Sequence, residues 1–212
     1  MSDFLMVAND GEHEIIIERS RFICYVRRVF SIGEASKYID EIKTLHAKAN
    51  HNCVAYQIGD RGEFGKANDD GEPSGTAGMP MFEVLKKQNV TNCLVVVTRY
   101  FGGVKLGGGG LIRAYSRSVS EAIAQVGLAR RELMRLVNMV VDYPLAQTLQ
   151  SRILAAGHEI GEIHYSEVVQ IEAFVKDDQT AEFINWITDI SGDKVEMTLG
   201  DISWKEIPQK NF

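Results

Sequence analysis

Cysteine is scarce in this chain: Cys24, Cys53 and Cys93 stand far apart among 212 residues, an odd number with no CxxC pair. That excludes a disulfide scaffold and leaves no cysteine spacing for a zinc site or a dithiol redox motif, so all three are expected to be small strand residues. Long apolar runs are missing too. No window approaches the roughly 18 uninterrupted apolar residues of a membrane span. Met1–Asp10 has neither the basic flank nor the apolar stretch of a secretory leader. The cytoplasm is the expected compartment, and no membrane partner is expected. The low hydrophobicity and high charge of a disordered chain are absent as well, since 45% of residues are apolar and 25% charged. Enough apolar material is present for two domains of roughly 100 residues, each with its own core.

The formal charge of −6 hides an asymmetry. Residues 1–131 hold 17 Lys+Arg and 15 Asp+Glu, a balance of +2, whereas residues 132–212 hold 6 and 14, a balance of −8. Arg99–Arg131 alone carries six basic residues against the single Glu121. A polyanion surface is therefore expected on that segment, and the acidic second part is expected to contact protein or to position the first.

Residue patterns place the elements. Strands are expected at Glu14–Glu18 and Phe22–Val29, around a turn at Arg19–Arg21. Ser31 followed by Glu34 is a capping-box signature, opening a helix with the apolar stripe Ala35, Ile39, Ile42 and Leu45. A strand over Cys53–Gly59 is followed by a long irregular loop over Gly65–Pro80 and a helix from Pro80 to Asn89. The run Cys93–Val97 is apolar at every position, as suits a central strand covered on both faces. After a glycine-rich turn at Gly102–Gly110, a helix to Gly127 should turn Leu111, Tyr115, Val119, Ala122 and Val126 inward and Arg113 and Arg117 outward. From residue 132 the order is strand, helix, strand, strand, helix, strand, the βαββαβ order of a ferredoxin-like domain. The fold class expected is α+β, with domains at 1–131 and 132–212.

Three local patterns could carry chemistry. Six glycines occupy the nine positions Gly102–Gly110, although each costs up to about 1 kcal/mol relative to alanine inside an element. Something must require bare backbone there. Gly107, Gly108, Gly109 and Gly110 at a helix opening can offer free N–H groups to an anion, and Arg99, Lys105, Arg113 and Arg117 can complete a phosphate-tracking surface. The alternative is that the glycines let the helix pass closely over the strand, with Arg117 paired to Glu121 at i,i+4. GxGxxG fails because Ile112 stands where a third glycine would follow Gly107 and Gly109, and GxxxxGK[ST] fails because Gly109 follows Gly108. No nucleotide cofactor, and no other cofactor, is expected.

The second pattern is Asp69, Asp70 and Glu72, followed by Ser74 and Thr76. Three carboxylates could hold a divalent cation or supply a general base, or they could cap turns by accepting backbone N–H groups. Third, His51 and Cys53 share one face of a strand, a spacing open to a Cys/His nucleophile but without an evident third member.

These stretches together resemble a known family. Ser20-Arg21-Phe22, His51-Asn52-Cys53, the block from Asp70 to Pro80 and the block from Arg99 through Gly107 to Tyr115 resemble the YigZ/IMPACT family, over residues 14–130. Asn68 stands where many members have serine. The remainder resembles the smaller C-terminal domain of bacterial members. The resemblance implies a first domain similar to domain 2 of ribosomal protein S5 and domain IV of elongation factor G. It implies a second similar to that factor's ferredoxin-like domain V. It also implies a link to translation, because eukaryotic relatives interfere with activation of a starvation-responsive kinase. The RWD domain they add is not expected here, so their partner does not transfer, and the family offers no established catalytic residues. The leading expectation is a non-enzymatic, translation-associated protein that binds RNA or the ribosome, regulating translation under stress. The alternatives are a metal-dependent hydrolase built on Asp69, Asp70 and Glu72, and a regulator that binds a translation-related protein without touching nucleic acid. Whether the acidic loop and the glycine-rich turn share a cleft is left open by the sequence.

Overall fold

In the computed structural model, residues 5–209 are described, so the expected domain limits at residues 1 and 212 lie outside them. The chain divides into two compact units. The first runs to Arg130 and takes back the stretch from Ile207; the second is Arg131–Glu206.

In the first unit, β2 (Gly11–Ile17) and β3 (Ser20–Arg28) form a hairpin joined by Glu18 and Arg19 alone. Both have positive φ, 46° and 66°, as a two-residue type I′ turn requires. Such turns usually advertise themselves as Asn-Gly, so the turn is shorter than the expected three residues. Helix α1 (Ile32–Leu45) starts as its cap predicts: Glu34 N–H donates to Ser31 Oγ at 3.2 Å, and the Glu34 carboxylate accepts from the Phe30 N–H at 2.7 Å. Ala35 and Ile42 of its stripe are buried, but Leu45 is 69% exposed.

The sheet is completed by β4 (His51–Ile58), β5 (Phe64–Asn68) and β6 (Cys93–Tyr100), in the order β2-β3-β6-β4-β5 with antiparallel pairs throughout. Strand β5 occupies part of the stretch expected to be irregular. It is an edge strand with only Ala67 even half-buried, so it shows none of the apolar alternation that betrays a strand, and the loop shrinks to residues 69–77.

Alternate residues of β3, β4 and β6 feed two cores. Phe22, Cys24, Cys53, Ala55, Val95 and Val97 face α2 (Gly78–Lys87) and α3 (Gly107–Val126), while Ile23, Tyr25, Val54, Tyr56, Leu94 and Val96 face α1. Double coverage is why β6 is apolar at every position of its first half. All three cysteines are buried free thiols on these strands. The apolar face expected of α3 is buried and Arg113 and Arg117 are exposed. The helix opens at Gly107, however, so Gly107–Gly110 form its first turn rather than part of the connection.

Strand β7 (Leu128–Val141) pairs at its start with β1 (Leu5–Val7), and Gln209 N–H donates to the Leu128 carbonyl, closing the first unit. Within the second unit, β7 is followed by α4 (Tyr143–Ala155), β8 (Glu159–Tyr165), β9 (Val169–Lys176), α5 (Thr180–Ser191) and β10 (Glu196–Pro208). The sheet order is β10-β7-β9-β8, the ferredoxin-like order 4-1-3-2, and the fold is α+β. Its core joins Val137, Met139 and Val141 to Leu149 and Ile153 of α4 and Phe183 and Ile187 of α5. Among the described residues no helix is long and apolar enough to cross a membrane.

Candidate functional site

The two patterned stretches of the first unit are neighbours. Loop 69–77 leaves β5 and enters α2, and the glycine-rich segment leaves β6 and enters α3. A Cβ placed on Gly108 would lie 3.9 Å from Thr76 Cγ2.

The carboxylates of loop 69–77 hold the loop itself. Asp69 accepts from the N–H groups of Gly75 at 2.8 Å, Ala77 at 3.0 Å and Gly78 at 2.8 Å, which ties the loop to the start of α2. Burial pushes its carboxyl up, but the three N–H donors outweigh this and hold it below the ordinary value. Asp70, at φ 44°, accepts from Lys43 Nζ at 2.9 Å and Asn52 N–H at 2.7 Å. Burial again raises the carboxyl, and Lys43 and Asn52 bring it below the ordinary value. Glu72 is buried and accepts on one oxygen from Arg99 Nη1 at 2.7 Å and from Tyr115 Oη at 2.8 Å. Each carboxylate thus has its own partners in a different direction. Among the described residues no three His, Cys, Asp or Glu side chains gather as a metal site.

His51 and Cys53 also turn to this loop. His51 Nδ1 donates to the Asp70 carbonyl, which can only accept, at 2.9 Å, and Nε2 lies 3.8 Å from Glu72 Oε2. Cys53 Sγ lies 3.0 Å from the Asp69 carbonyl and 3.3 Å from Tyr115 Oη. Burial pushes its thiol up to about 12, which keeps it protonated and a poor nucleophile. Tyr115 is raised as well, chiefly by burial.

The basic residues expected at the anion site, Arg99, Lys105, Arg113 and Arg117, divide into two groups. Arg99 is 5% exposed and sits within the fold against Glu72, so it is not on the outer surface of the Arg99–Arg131 segment. The register offered a signal for this, because Arg99 follows Val95 and Val97 on the face that packs against α3. Lys105, Gly107, Gly108, Gly109, Arg113 and Arg117 are exposed. Arg117 Nε donates to Glu121 at 2.6 Å, and Glu121 also faces His13 at 3.0 Å. Among the described residues neither Lys105 nor Arg113 is paired with a carboxylate.

The opening of α3 has no side-chain cap and no acidic residue in its first turn, so its first N–H groups lack protein acceptors of those kinds. Glycine is required at Gly107 by its φ of 69°. At Gly108 and Gly109 nothing demands it: φ is not positive, and an added Cβ would meet no atom closer than 3.9 Å and 3.6 Å respectively. The nearest atom at Gly109 is Arg113 Nη1, whose guanidinium therefore lies back toward the helix start. The site offers open N–H groups, the positive end of a 20-residue helix and, among the described residues, two cations without a carboxylate partner, beside a loop locked from beneath. Sequence reasoning missed the Glu72–Arg99–Tyr115 arrangement, which joins three distant positions that carry no shared local pattern.

Comparison with known proteins places the chain. The Impact N-terminal domain model matches residues 18–123, and a domain of unknown function (DUF1949) matches residues 139–199. The IMPACT family member YvyE of Bacillus subtilis is 46% identical over 206 residues, covering 97% of this chain and 95% of that protein. The IMPACT family member YigZ of Escherichia coli is 29% identical over 184 residues, covering 85% and 90%. A crystal structure of a hypothetical protein covers 95% of this chain and 98% of its own, at 27% identity and a TM-score of 0.59. Matched by the family's N-terminal model over its first unit and nearly half identical to YvyE along almost the whole of both sequences, the chain belongs to the IMPACT family.

Proposed function

We propose that this is a cytoplasmic, non-enzymatic protein that binds RNA, free or in the ribosome, through the opening of α3. The observation that carries the proposal is the pair Gly108 and Gly109: exposed helical positions with room for a side chain, left bare at an energetic cost beside Lys105 and Arg113. Bare backbone at a helix N-terminus suits a phosphate, since it lets the oxygens reach the N–H groups directly. The translational setting rests on the family resemblance, and the cytoplasm on the three unpaired cysteines.

The test is fluorescence anisotropy with tRNA and a structured ribosomal RNA fragment across a salt series. Binding should fall linearly in log salt with a slope of about 0.7 to 0.9 per phosphate contact, and Lys105→Glu with Arg113→Glu should abolish it. Arg117→Glu serves as the contrast, because Arg117 is already engaged by Glu121. Absence of binding at low salt would overturn the proposal.

A further inference from the structure

Phe101 is left unused by this reading. Its ring is 45% exposed where β6 passes into the glycine-rich segment, and the backbone that carries it is tied down on both sides. Phe101 N–H donates to Asn50 Oδ1 at 2.8 Å, and Asn50 N–H donates to the Arg99 carbonyl at 3.0 Å. Gly102 N–H donates to Ser20 Oγ at 3.2 Å, and a Cβ on Gly102 would lie 2.1 Å from the carbonyl carbon and oxygen of Arg19. The exit of β6 is therefore pressed onto the β2–β3 turn, and the ring has little backbone freedom.

A buried cation backs that ring. The Arg99 guanidinium lies 5.5 Å from the Phe101 centroid and 5.3 Å from that of Phe22. Its Nε is buried without a hydrogen-bond partner among the described residues, as fits a guanidinium held against ring faces as well as against Glu72. A single exposed apolar residue on a surface is ordinary. A rigidly mounted aromatic ring, cation-backed and leading along the chain to Lys105 and the open end of α3, is a different object. Ring and anion site together match what single-stranded nucleic acid offers, a planar base next to a phosphate.

We propose that Phe101 is a stacking platform for an unpaired base of single-stranded RNA, whose neighbouring phosphate lies at Lys105 and the α3 N–H groups. This rests on the RNA reading above and adds that the preferred RNA is unpaired. The bases of a duplex are stacked on one another and cannot reach a protein ring without being unstacked.

The experiment uses the full chain and two probes: a single-stranded RNA of about 12 nucleotides carrying 2-aminopurine, and the same strand annealed to its complement. Anisotropy gives affinity and 2-aminopurine fluorescence reports stacking. Phe101→Ala should weaken single-strand binding about 5- to 150-fold and abolish the fluorescence change, with the duplex affected less than about twofold. Phe101→Trp should retain the stacking signal and Phe101→Leu should not, which separates a π platform from a merely apolar one. Phe101→Ala or Phe101→Leu binding the single strand like wild type, while Lys105→Glu/Arg113→Glu still weakens it, overturns the stacking and leaves the anion site standing. Wild type preferring the duplex also overturns the stacking alone. Wild type binding neither probe overturns the stacking, and the titration with tRNA and ribosomal RNA then decides the anion site by itself.

Discussion

Replacing Gly108 and Gly109 by alanine should make this protein more stable and worse at binding RNA. Both residues lie in the exposed first turn of α3, and their added methyl groups would make ordinary contacts with Thr76 and Arg113. Glycine in a helix costs about 0.8 to 1.0 kcal/mol relative to alanine. The first turn makes fewer backbone bonds than the interior, so a gain of about 0.5 to 1 kcal/mol per site is expected, or about 1 to 2 kcal/mol for the pair. Urea unfolding followed by far-UV circular dichroism measures the gain. Tryptophan fluorescence does not suit, because Trp186 and Trp204 both belong to the second unit. In parallel, RNA affinity should fall, because two methyl groups would stand between a phosphate and the N–H groups. A stability gain with unchanged affinity would refute the claim that these glycines serve a ligand. No gain would refute the claim that the sites are sterically open. Gly107→Ala should behave oppositely, costing about 1 kcal/mol, because its φ of 69° disfavours any Cβ.

Three further outcomes follow from the locked loop and the strands beneath it. Glu72→Ala should cost about 3 to 5 kcal/mol in urea unfolding by stranding the buried Arg99, and Glu72→Leu with Arg99→Met should recover most of that loss; additive costs would show the two are uncoupled. Asp69 has a folded pKa below the ordinary value of 3.8, so its contribution is complete above that value and is lost as pH falls through the lower folded one. Asp69→Asn should therefore be less stable at neutral pH by about 1 to 2 kcal/mol and should flatten the acid limb of the stability profile below about pH 4, and a wild-type-like limb would count against the three N–H bonds. Burial holds the Cys53 and Cys93 thiols near 12 and Cys24 higher still, so DTNB at pH 8 should label none in the native protein and all three in guanidinium; rapid native labelling of Cys53 would contradict its packing.

How far the sequence reached depended on whether a feature is periodic. The central strand β6, the buried face of α3 and the βαββαβ order of the second unit are all readable from apolar spacing, because burial on a known face imposes it. Strand β5 is not, since an edge strand with its side chains in solvent has no alternation to show. The hairpin turn at Glu18 and Arg19 is hidden for a related reason: its positive φ angles are imposed by the flanking strands on residues that do not prefer them. The loop carboxylates show a different limit. Locally, Asp69, Asp70 and Glu72 suit a cation, a base or a set of anchors equally well. What distinguishes these roles is Lys43, Arg99, Tyr115 and the N–H groups of Gly75, Ala77 and Gly78, of which the last three have no side-chain signature at all.

The inward commitments of Asp69 and Glu72 also change how variation among relatives should be interpreted. An unvarying carboxylate at either position would record a requirement for folding the loop, because exchange there dismantles a cap or strands a buried guanidinium. It would say nothing about a reaction. Ser74, exposed at the tip of the same loop, is under no such obligation, and exchange can accumulate there without disturbing the scaffold.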